Sequence, residues 1–308
     1  MSGKWSDLPG DLLSQIANGL ELIDFLSFRC VCKDWNTASL KVSPYDKSVL
    51  CDPWFLMYGG EGSKCSLLSH QNKCYSINLP ELDGARCLAS YEGWLLLFGQ
   101  GSLFFFCPFS RAKIELPNCP LTDPSDHVAA FSAPPTSEDC IVVVLDSSSD
   151  TELRLSILCK GEDQWAKSSF LGFRFGKIET ALFYEKKEFH FLDGDCGLIT
   201  FNASNKTNRW KQYRLIVSRD EYPSSSSVLN YTTRKNIFQL KNEQREKGLL
   251  EANDSISTCG TIVPHSSGLC DMIIRSESIE AKTQPESRHL KGVWIQPRYF
   301  HVPSTQTW

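Results

Sequence analysis

Cysteine and histidine are the residues of this chain whose types could support metal binding or nucleophilic catalysis. The chain has 13 cysteines and six histidines in 308 residues. No Cys-x-x-Cys pair occurs, and the closest spacing, Cys30-Val-Cys32, is poorly suited to two ligands of one zinc ion. The histidines show neither an H-x-x-x-H nor an H-E-x-x-H spacing. We therefore predict no metal site and no cofactor.

Three further patterns could indicate catalysis or ion binding, and none of them is complete. The chain has no G-x-S-x-G sequence, the turn that carries the serine nucleophile of many hydrolases. The glycine-rich segment 58–64 lacks the spacing of a phosphate-binding loop. Asp193-Gly-Asp195 lies between two predicted strands and is predicted to be a turn, because a calcium loop needs more oxygen ligands. We expect that the chain is not an enzyme.

The cysteines are predicted to be reduced thiols buried in a core. Their number is odd, and they are spread over the whole chain rather than clustered as in a short secreted domain. Several lie in apolar runs, such as Cys107 after three phenylalanines and Cys140 before Ile141. Free cysteine commonly behaves as a small hydrophobic residue in such places. Neither a disulfide framework nor a metal centre is expected.

Charge and hydropathy limit the possible partners. The formal net charge is −4, whereas a surface that binds nucleic acid by its phosphates needs a basic excess. No apolar run approaches the roughly 20 residues that span a bilayer, and the first ten residues show no apolar stretch of a secretory signal. We expect a soluble intracellular protein that binds neither nucleic acid nor a membrane.

Residues 1–41 have the periodicity of short α-helices. Apolar residues follow one another at spacings of three to five, which places them on one face of a helix; these are Leu8, Leu12, Leu13, Ile16 and Leu20. Pro9 suits the first turn, and Asp11 is favoured near the positive end of the helix dipole. A second helical stretch begins after Glu21. Two or three helices are predicted here, followed by a linker at 42–53.

These short helices carry more large apolar side chains than they can bury among themselves. The surplus must face either the rest of this chain or another protein. Composition alone favours the first reading, a helical hairpin that docks on its own downstream domain. The second reading is a surface that binds a partner.

Residues 54–217 alternate with a period near two and repeat internally. Units of four short strands are separated by turn residues, and their third strands start at Leu103, Leu153 and Leu198. Meanders that recur every 40–50 residues or so are typical of a β-propeller. An all-β sandwich of several hairpins is the alternative, and we favour the propeller. Trp165 and Trp210, at the fourth strands, are predicted to pack one blade on the next.

The repeat becomes unreadable in residues 218–308. Four serines at Ser224–Ser227 and a charged stretch at Lys241–Gly248 interrupt it. Short pieces at Asn236–Leu240, Gly260–Val263 and Gly292–Ile295 have the character of strands. We expect a partly irregular region with degenerate or incomplete last blades and no clear closing strand.

The N-terminal helices resemble the F-box. The resemblance rests on Leu8-Pro9-x-Asp11-Leu12-Leu13-x-x-Ile16 and on a second half that ends in Val31-Cys32-Lys33-x-Trp35, and it covers about residues 5–40. Phe28 departs from the smaller or polar residue that is common in the family. The resemblance implies binding to the Skp-type adaptor of a cullin–RING ubiquitin ligase. The adaptor-binding residues it implies are Leu8, Pro9, Leu12, Leu13, Ile16, Leu20, Val31, Cys32 and Trp35.

The strand region resembles the kelch-like, KIB-type propeller of plant F-box proteins. It shares Gly93-Trp94-Leu-Leu-Leu, then three phenylalanines after Leu103, then Pro108-Phe-Ser-Arg111-x-Lys113-Ile114-x-Leu116-Pro117. The resemblance covers about residues 50–215. The fold class expected is therefore α plus all-β, a three-helix F-box followed by a kelch-like β-propeller.

The two resemblances together imply a substrate-recognition subunit of an SCF-type (Skp–cullin–F-box) E3 ubiquitin ligase. The F-box would bind the Skp adaptor, and through it cullin and the RING protein, while the propeller recruits an unknown protein substrate. Two alternatives stay open: a scaffold or decoy that binds the adaptor without delivering a substrate, and a propeller enzyme, for which no residues argue. The expected location is the cytoplasm, the nucleus or both. The sequence does not mark the substrate-binding residues.

Overall fold

A computed structural model gives the architecture of the chain. The residues it describes are Trp5, 8–42, 53–60, 62–69, 73–119, 121, 127–146, 149, 151–171, 176–184, 188–193, 197–204, 209–214, 255–258, 262–264, 270–272, 289–303 and 305–308. Within these ranges, the α-helices occupy the N-terminal part, and β-strands follow, with one short 3-10 helix at Pro80–Leu82 among them. No helix in the part that the structure describes is long and apolar enough to cross a membrane.

Three short helices form the N-terminal unit: α1 (Gly10–Asn18), α2 (Leu22–Arg29) and α3 (Lys33–Ser39). Helix α1 begins directly after Pro9, and the acidic Asp11 and Asp24 lie in the first turns of α1 and α2, where the helix dipole favours them. A small core joins the three helices and consists of Leu13, Ala17, Phe25, Phe28 and Ala38. The prediction of two or three helices in this part of the chain is confirmed.

Consecutive strands form antiparallel four-stranded meanders, which we call blades. Blade 2 holds β4 (Arg86–Tyr91), β5 (Trp94–Gly99), β6 (Ser102–Cys107) and β7 (Ala112–Glu115). Blade 3 holds β8 (His127–Phe131), β9 (Ile141–Asp146), β10 (Glu152–Cys159) and β11 (Ala166–Leu171). Blade 4 holds β12 (Ile178–Tyr184), β13 (Glu188–Asp193), β14 (Gly197–Asn202) and β15 (Trp210–Arg214).

Blade 1 takes its strands from distant parts of the chain. It contains β1 (Trp54–Tyr58), β2 (Lys64–Leu68), β3 (Cys74–Asn78) and β19 (His289–Ile295). Strand β19 pairs antiparallel with β1, from Trp54 opposite Ile295 to Tyr58 opposite Lys291. The expectation that no clear closing strand exists is therefore wrong. The apolar piece Gly292–Ile295 belongs to that strand, but its partner lies too far away in sequence for the pairing to be predicted locally.

Three further short strands occur between residues 255 and 272. Strand β16 (Ser255–Thr258) pairs parallel with β19, and β17 (Ile262–Pro264) pairs antiparallel with β18 (Cys270–Met272). The predicted loop Ser224–Ser227, the charged stretch Lys241–Gly248 and the strand-like Asn236–Leu240 lie outside the described residues.

The first strands of the blades lie side by side around a common centre. Strand β4 contacts β19 on one side and β8 on the other, and β8 contacts β12. One large apolar cluster fills the space between blades 1, 2 and 3, and a second fills the space between blades 3 and 4. This is the radial packing of a propeller, in which each blade buries its faces against its neighbours. The predicted architecture of helices followed by a propeller is confirmed.

Tryptophans at the outer strands connect adjacent blades, as predicted. The Trp165 indole N–H donates a hydrogen bond of 3.0 Å to the backbone oxygen of Pro117, beyond the last strand of blade 2. The Trp210 indole N–H donates to Ser168 Oγ in blade 3, also at 3.0 Å. Both indoles thereby bury an apolar ring and satisfy its polar group in the same contact.

Candidate functional site

Exposed large apolar side chains are concentrated in the N-terminal helical unit. Among the described residues seven such side chains are exposed, and five of them lie within the first 40 residues. Those five are Trp5, Leu12, Ile16, Val31 and Leu40; the other two are Leu171 and Tyr213. Exposed apolar side chains that are concentrated on one small unit indicate a contact with another molecule.

Helix α1 has two apolar faces with different surroundings. Leu13 and Ala17 are 1% and 0% exposed and pack in the core of the helical unit. Leu12 and Ile16, each one position earlier, are 46% and 42% exposed. Because residues four apart lie one above the other on a helix, Leu12 and Ile16 form one outward-facing pair. The same helix therefore holds the unit together and presents an apolar surface.

The turn between α2 and α3 adds to this exposed surface. Val31 is 57% exposed, and its neighbours Cys30 and Cys32 are exposed as well. The turn is held from beneath by Phe28, whose ring lies 4.5 Å from that of Trp35. Phe28 is itself 4% exposed, so the residue that departs from the family pattern fills the core of the helical unit. An aromatic side chain fits there because Trp35 covers it.

Half-buried Arg29 links α2 to α3 by hydrogen bonds. Its guanidinium donates hydrogen bonds to the side chains of Ser39 and Asn36, and the Asn36 side-chain N–H donates back to the backbone oxygen of Arg29 at 3.2 Å. Ser14 on α1 donates a hydrogen bond of 2.9 Å to the backbone oxygen of Ala38. These polar contacts fix α1 and α2 relative to α3, so that the exposed surface keeps one shape.

The nine residues that the sequence marked for adaptor binding divide into three groups. Pro9, Leu12, Ile16, Val31 and Cys32 are exposed, whereas Leu8, Leu20 and Trp35 are half-buried around the core of the helical unit. Leu13 is buried between α1, α2 and α3 and packs in their core, so its predicted adaptor contact stays a prediction. Trp5 and Leu40 are exposed as well, and the resemblance did not include them.

The opposite side of the helical unit packs on the propeller. Leu22 of α2 belongs to the large apolar cluster of the blades, and Ile23 and Leu26 pack against it. In return, Tyr299, which follows blade 1 in the chain, lies 5.3 Å from Phe25 in an edge-to-face contact. The predicted docking of the helices on their own chain is confirmed for α2. The outer face of α1 is exposed, and binding of a partner there stays a prediction.

A polar cleft opens on blade 3 and is a candidate for contacts by the propeller. Its volume is about 390 Å³. The lining residues come from all four strands of the blade and from the connection before it: Cys119, Leu121, His127, Val144, Asp146, Glu152, Arg154, Leu155, Ser156, Lys167, Ser168 and Ser169. Arg154 and Glu152 form an ion pair of 2.9 Å at its edge. Burial raises the pKa of the Cys119 thiol to about 11, so this cysteine is a poor nucleophile.

His, Cys, Asp and Glu side chains are dispersed in the ranges that the structure describes. No group of three or more His, Cys, Asp or Glu side chains in these ranges could hold a metal ion. The carboxylate of Asp193 accepts hydrogen bonds from the backbone N–H groups of Gly176 and Gly197, as a side chain that organises a turn would. Asp195 lies outside the described residues.

Two family models match this chain, in the places where the helices and the blades lie. The F-box domain model matches residues 5–47, and the KIB1-4 beta-propeller model matches residues 65–263. The chain belongs to the KIB1-4 β-propeller family and carries an F-box at its N-terminal side. F-box domains in general bind a Skp-type adaptor, and F-box proteins are generally non-catalytic adaptor subunits.

Similar proteins from Arabidopsis thaliana support this assignment. F-box protein At4g00893 is 30% identical over 210 residues, 66% of this chain and 52% of the relative. F-box protein At3g56470 is 30% identical over 53% of this chain and 44% of its own length. F-box/kelch-repeat protein At1g57790 is 32% identical over 52% of this chain and 46% of its own length. The chain spans about half the length of the curated relatives it matches.

Proposed function

We propose that this chain is the substrate-recognition subunit of an SCF-type E3 ubiquitin ligase. The observation that carries the proposal is the outward-facing pair Leu12 and Ile16, on a helix whose other face is fixed in the core. An F-box that only stabilised its own chain would bury both faces of α1. Instead the apolar side chains of α1 and of the α2–α3 turn remain available to a Skp-type adaptor.

Burial of this surface would contribute part of the free energy of a contact. Full burial of one large aliphatic side chain stabilises a contact by roughly 1.5–3 kcal/mol. Leu12, Ile16, Val31 and Leu40 are each about half exposed, so covering each one contributes on the order of 1 kcal/mol. The backbone that carries these side chains is already fixed, so binding does not have to order a loop as well.

In this proposal the propeller selects a protein substrate, and the chain itself performs no chemistry. Holding a substrate lysine near a ubiquitin-loaded partner raises its effective concentration, which accelerates transfer without a catalytic side chain of this chain. Cullin and the RING protein join through the adaptor. The polar cleft of blade 3 is the described feature of the propeller best suited to specific hydrogen bonds with such a substrate. We propose the cytoplasm, the nucleus or both as the place of action.

Binding to a purified plant Skp-type adaptor tests the proposal. The variant Leu12→Asp/Ile16→Asp places two unpaired charges in the contact, and we expect its affinity to fall at least 100-fold, or roughly 3 kcal/mol. The variant Leu171→Asp is the matched control, since Leu171 is an exposed leucine on blade 3, and it should bind like the wild type. A folded wild-type chain that does not bind the adaptor would refute the proposal.

The scaffold alternative differs only in what happens after adaptor binding. A receptor delivers its bound protein for ubiquitination, whereas a decoy occupies the adaptor and leaves that protein intact. Proteins that co-purify with the propeller should therefore be ubiquitinated by the reconstituted ligase with wild-type chain and not with Leu12→Asp/Ile16→Asp. Adaptor binding without any such transfer would favour the scaffold.

A further inference from the structure

We propose that the segment Arg298-Tyr299-Phe300 is a joint that holds the F-box on the propeller in one fixed orientation. The segment follows strand β19 and runs between helix α2 and the β4–β5 turn. Its middle residue packs against the core of the helical unit, and its two neighbours contact blade 2. The inference concerns the geometry of the free chain and does not depend on adaptor binding.

Tyr299 completes the core of the helical unit from outside. Its ring lies 5.3 Å from that of Phe25, with the planes at 70°. The Arg29 guanidinium lies 4.7 Å from the centre of the Tyr299 ring and 5.8 Å from that of Phe25. A cation held between two ring faces is a directional contact as well as an apolar one. Tyr299 therefore favours one orientation of α2. Apolar packing without these directional contacts would not select one.

The residues on either side of Tyr299 are fixed on blade 2. Arg298 pairs with Glu92 at 3.3 Å, and its side chain is only 15% exposed. The ring of Phe300 lies 5.3 Å from that of Trp94. The Cys107 thiol donates a weak hydrogen bond of 3.6 Å to the backbone oxygen of Arg298. The position of Tyr299 is thus set by blade 2, and Tyr299 in turn sets the position of α2.

A glycine makes this close approach possible. Gly93 has a φ of +82°, which favours glycine. A Cβ at this position would lie 2.8 Å from the Cβ of Arg298 and 3.2 Å from the backbone oxygen of Gln296. Glycine at position 93 therefore lets the segment 298–300 lie against the β4–β5 turn. A side chain at this position would collide with Arg298.

The end of the described chain extends the same attachment towards blade 3. The indole of Trp308 stacks on Phe105 with ring centres 5.9 Å apart. Lys160 of blade 3 donates a hydrogen bond of 2.9 Å from Nζ to the backbone oxygen of Thr307, and lies 4.9 Å from the Trp308 ring. The chain beyond Phe300 is therefore also attached to the propeller, whereas the position of Tyr299 itself depends on its neighbours Arg298 and Phe300.

Hydrogen exchange of the free full-length chain tests this role. In Tyr299→Ala we expect the amides of α2 to exchange at least tenfold faster, with blade 2 unchanged, because the propeller side of α2 opens more often. Tyr299→Phe keeps the ring and should exchange like the wild type. Tyr213→Ala, which alters an exposed tyrosine on β15, is the control and should also leave α2 unchanged.

Tyr299→Ala could loosen α2 simply by removing a ring from the core of the helical unit. A second variant separates this effect from the role of the joint. Phe300→Ala removes a contact with Trp94 inside the propeller cluster and leaves the Tyr299 ring in place. Faster exchange of α2 in Phe300→Ala supports the joint, because the loss of a contact with blade 2 would then have loosened a helix of the F-box. Unchanged α2 exchange in Phe300→Ala, or in a folded Tyr299→Ala, overturns it.

Discussion

The indole of Trp210 lies on the ring of Phe170 with centres 5.4 Å apart and planes only 16° apart, although the two residues belong to different blades. Phe170 is on β11, the outer strand of blade 3, and Trp210 is on β15, the outer strand of blade 4. The indole N–H also reaches Ser168 of blade 3. Adjacent blades are therefore joined at their outer edges as well as around the centre of the ring.

Loss of this outer contact should destabilise the pair of blades. Trp210→Phe keeps an aromatic ring but removes the hydrogen bond to Ser168, so we expect the free energy of unfolding to fall by about 1 kcal/mol. Trp210→Ala also removes the stacking, and we expect a loss of about 3 kcal/mol. Chemical denaturation measures both values. Equal effects of the two variants would mean that the ring contact contributes nothing.

Substitution of Gly93 should cost more stability than substitution of a matched glycine. Gly101 has nearly the same φ, +80°, but a Cβ there would meet nothing within 4 Å. Gly101→Ala should therefore lower the free energy of unfolding only by the backbone strain, about 1–2 kcal/mol. Gly93→Ala adds overpacking against Arg298, about 1–3 kcal/mol more. Thermal unfolding of the two variants side by side gives the difference, and equal melting temperatures would contradict the close approach.

Leu12 and Leu13 are adjacent leucines with opposite roles. Leu13→Ala leaves a cavity between the three helices, so we expect the helical unit to lose about 2–5 kcal/mol of stability. Leu12→Ala changes an exposed side chain and should alter stability by no more than about 0.5 kcal/mol. Hydrogen exchange of α1 and α3 reports the stability of this unit within the whole chain. If Leu12→Ala destabilises the helices as much as Leu13→Ala, the assignment of faces is wrong.

The cysteines should differ strongly in reactivity towards an alkylating agent. Burial raises the pKa of Cys140 to about 12, so at pH 9 only on the order of one molecule in a thousand carries the reactive thiolate there. Its thiolate fraction should rise about tenfold per pH unit below that pKa, and it should still be shielded by the fold. Exposed Cys30, Cys32 and Cys74 should react first.

Mass spectrometry of peptides after brief iodoacetamide treatment at pH 9 measures this order. Unfolding in guanidinium should remove the difference, because both the burial and the raised pKa of Cys140 depend on the fold. Labelling of Cys140 at the rate of Cys30 in the native chain would contradict its burial. The sequence alone predicted buried thiols, whereas three of the described cysteines, Cys30, Cys32 and Cys74, are exposed.

Blades 2 to 4 could be predicted from the sequence because their signals are local. Alternating apolar residues between turn residues such as Glu92-Gly93 give the strands, and sequential strands pair with each other. Strand β19 could not be assigned in this way, because its register is set by β1 at the other end of the chain. Its apolar residues were visible, but nothing near them in sequence indicates a partner.

The sequence motif of the candidate site could be recognised. Which of its residues are exposed could not be predicted. Helical periodicity places Leu12 with Ile16 and Leu13 with Ala17, yet it does not tell which pair faces outwards. That choice follows from the packing of Phe25 and Phe28 under α1, a tertiary contact. Tyr299 could not be recognised at all, because it contributes to the F-box core from a position about 270 residues away.

The origin of blade 1 in both ends of the chain has a consequence for synthesis on the ribosome. Strand β1 emerges early, but its neighbour β19 is made only when translation reaches residue 295. At ordinary elongation rates the interval is roughly 10–50 s. During this time the apolar side chains of Phe55 and Leu56, which end at 1% and 0% exposure, lack the strand that will cover them. Until β19 has been made, a nascent chain therefore exposes apolar surface of the kind that chaperones bind.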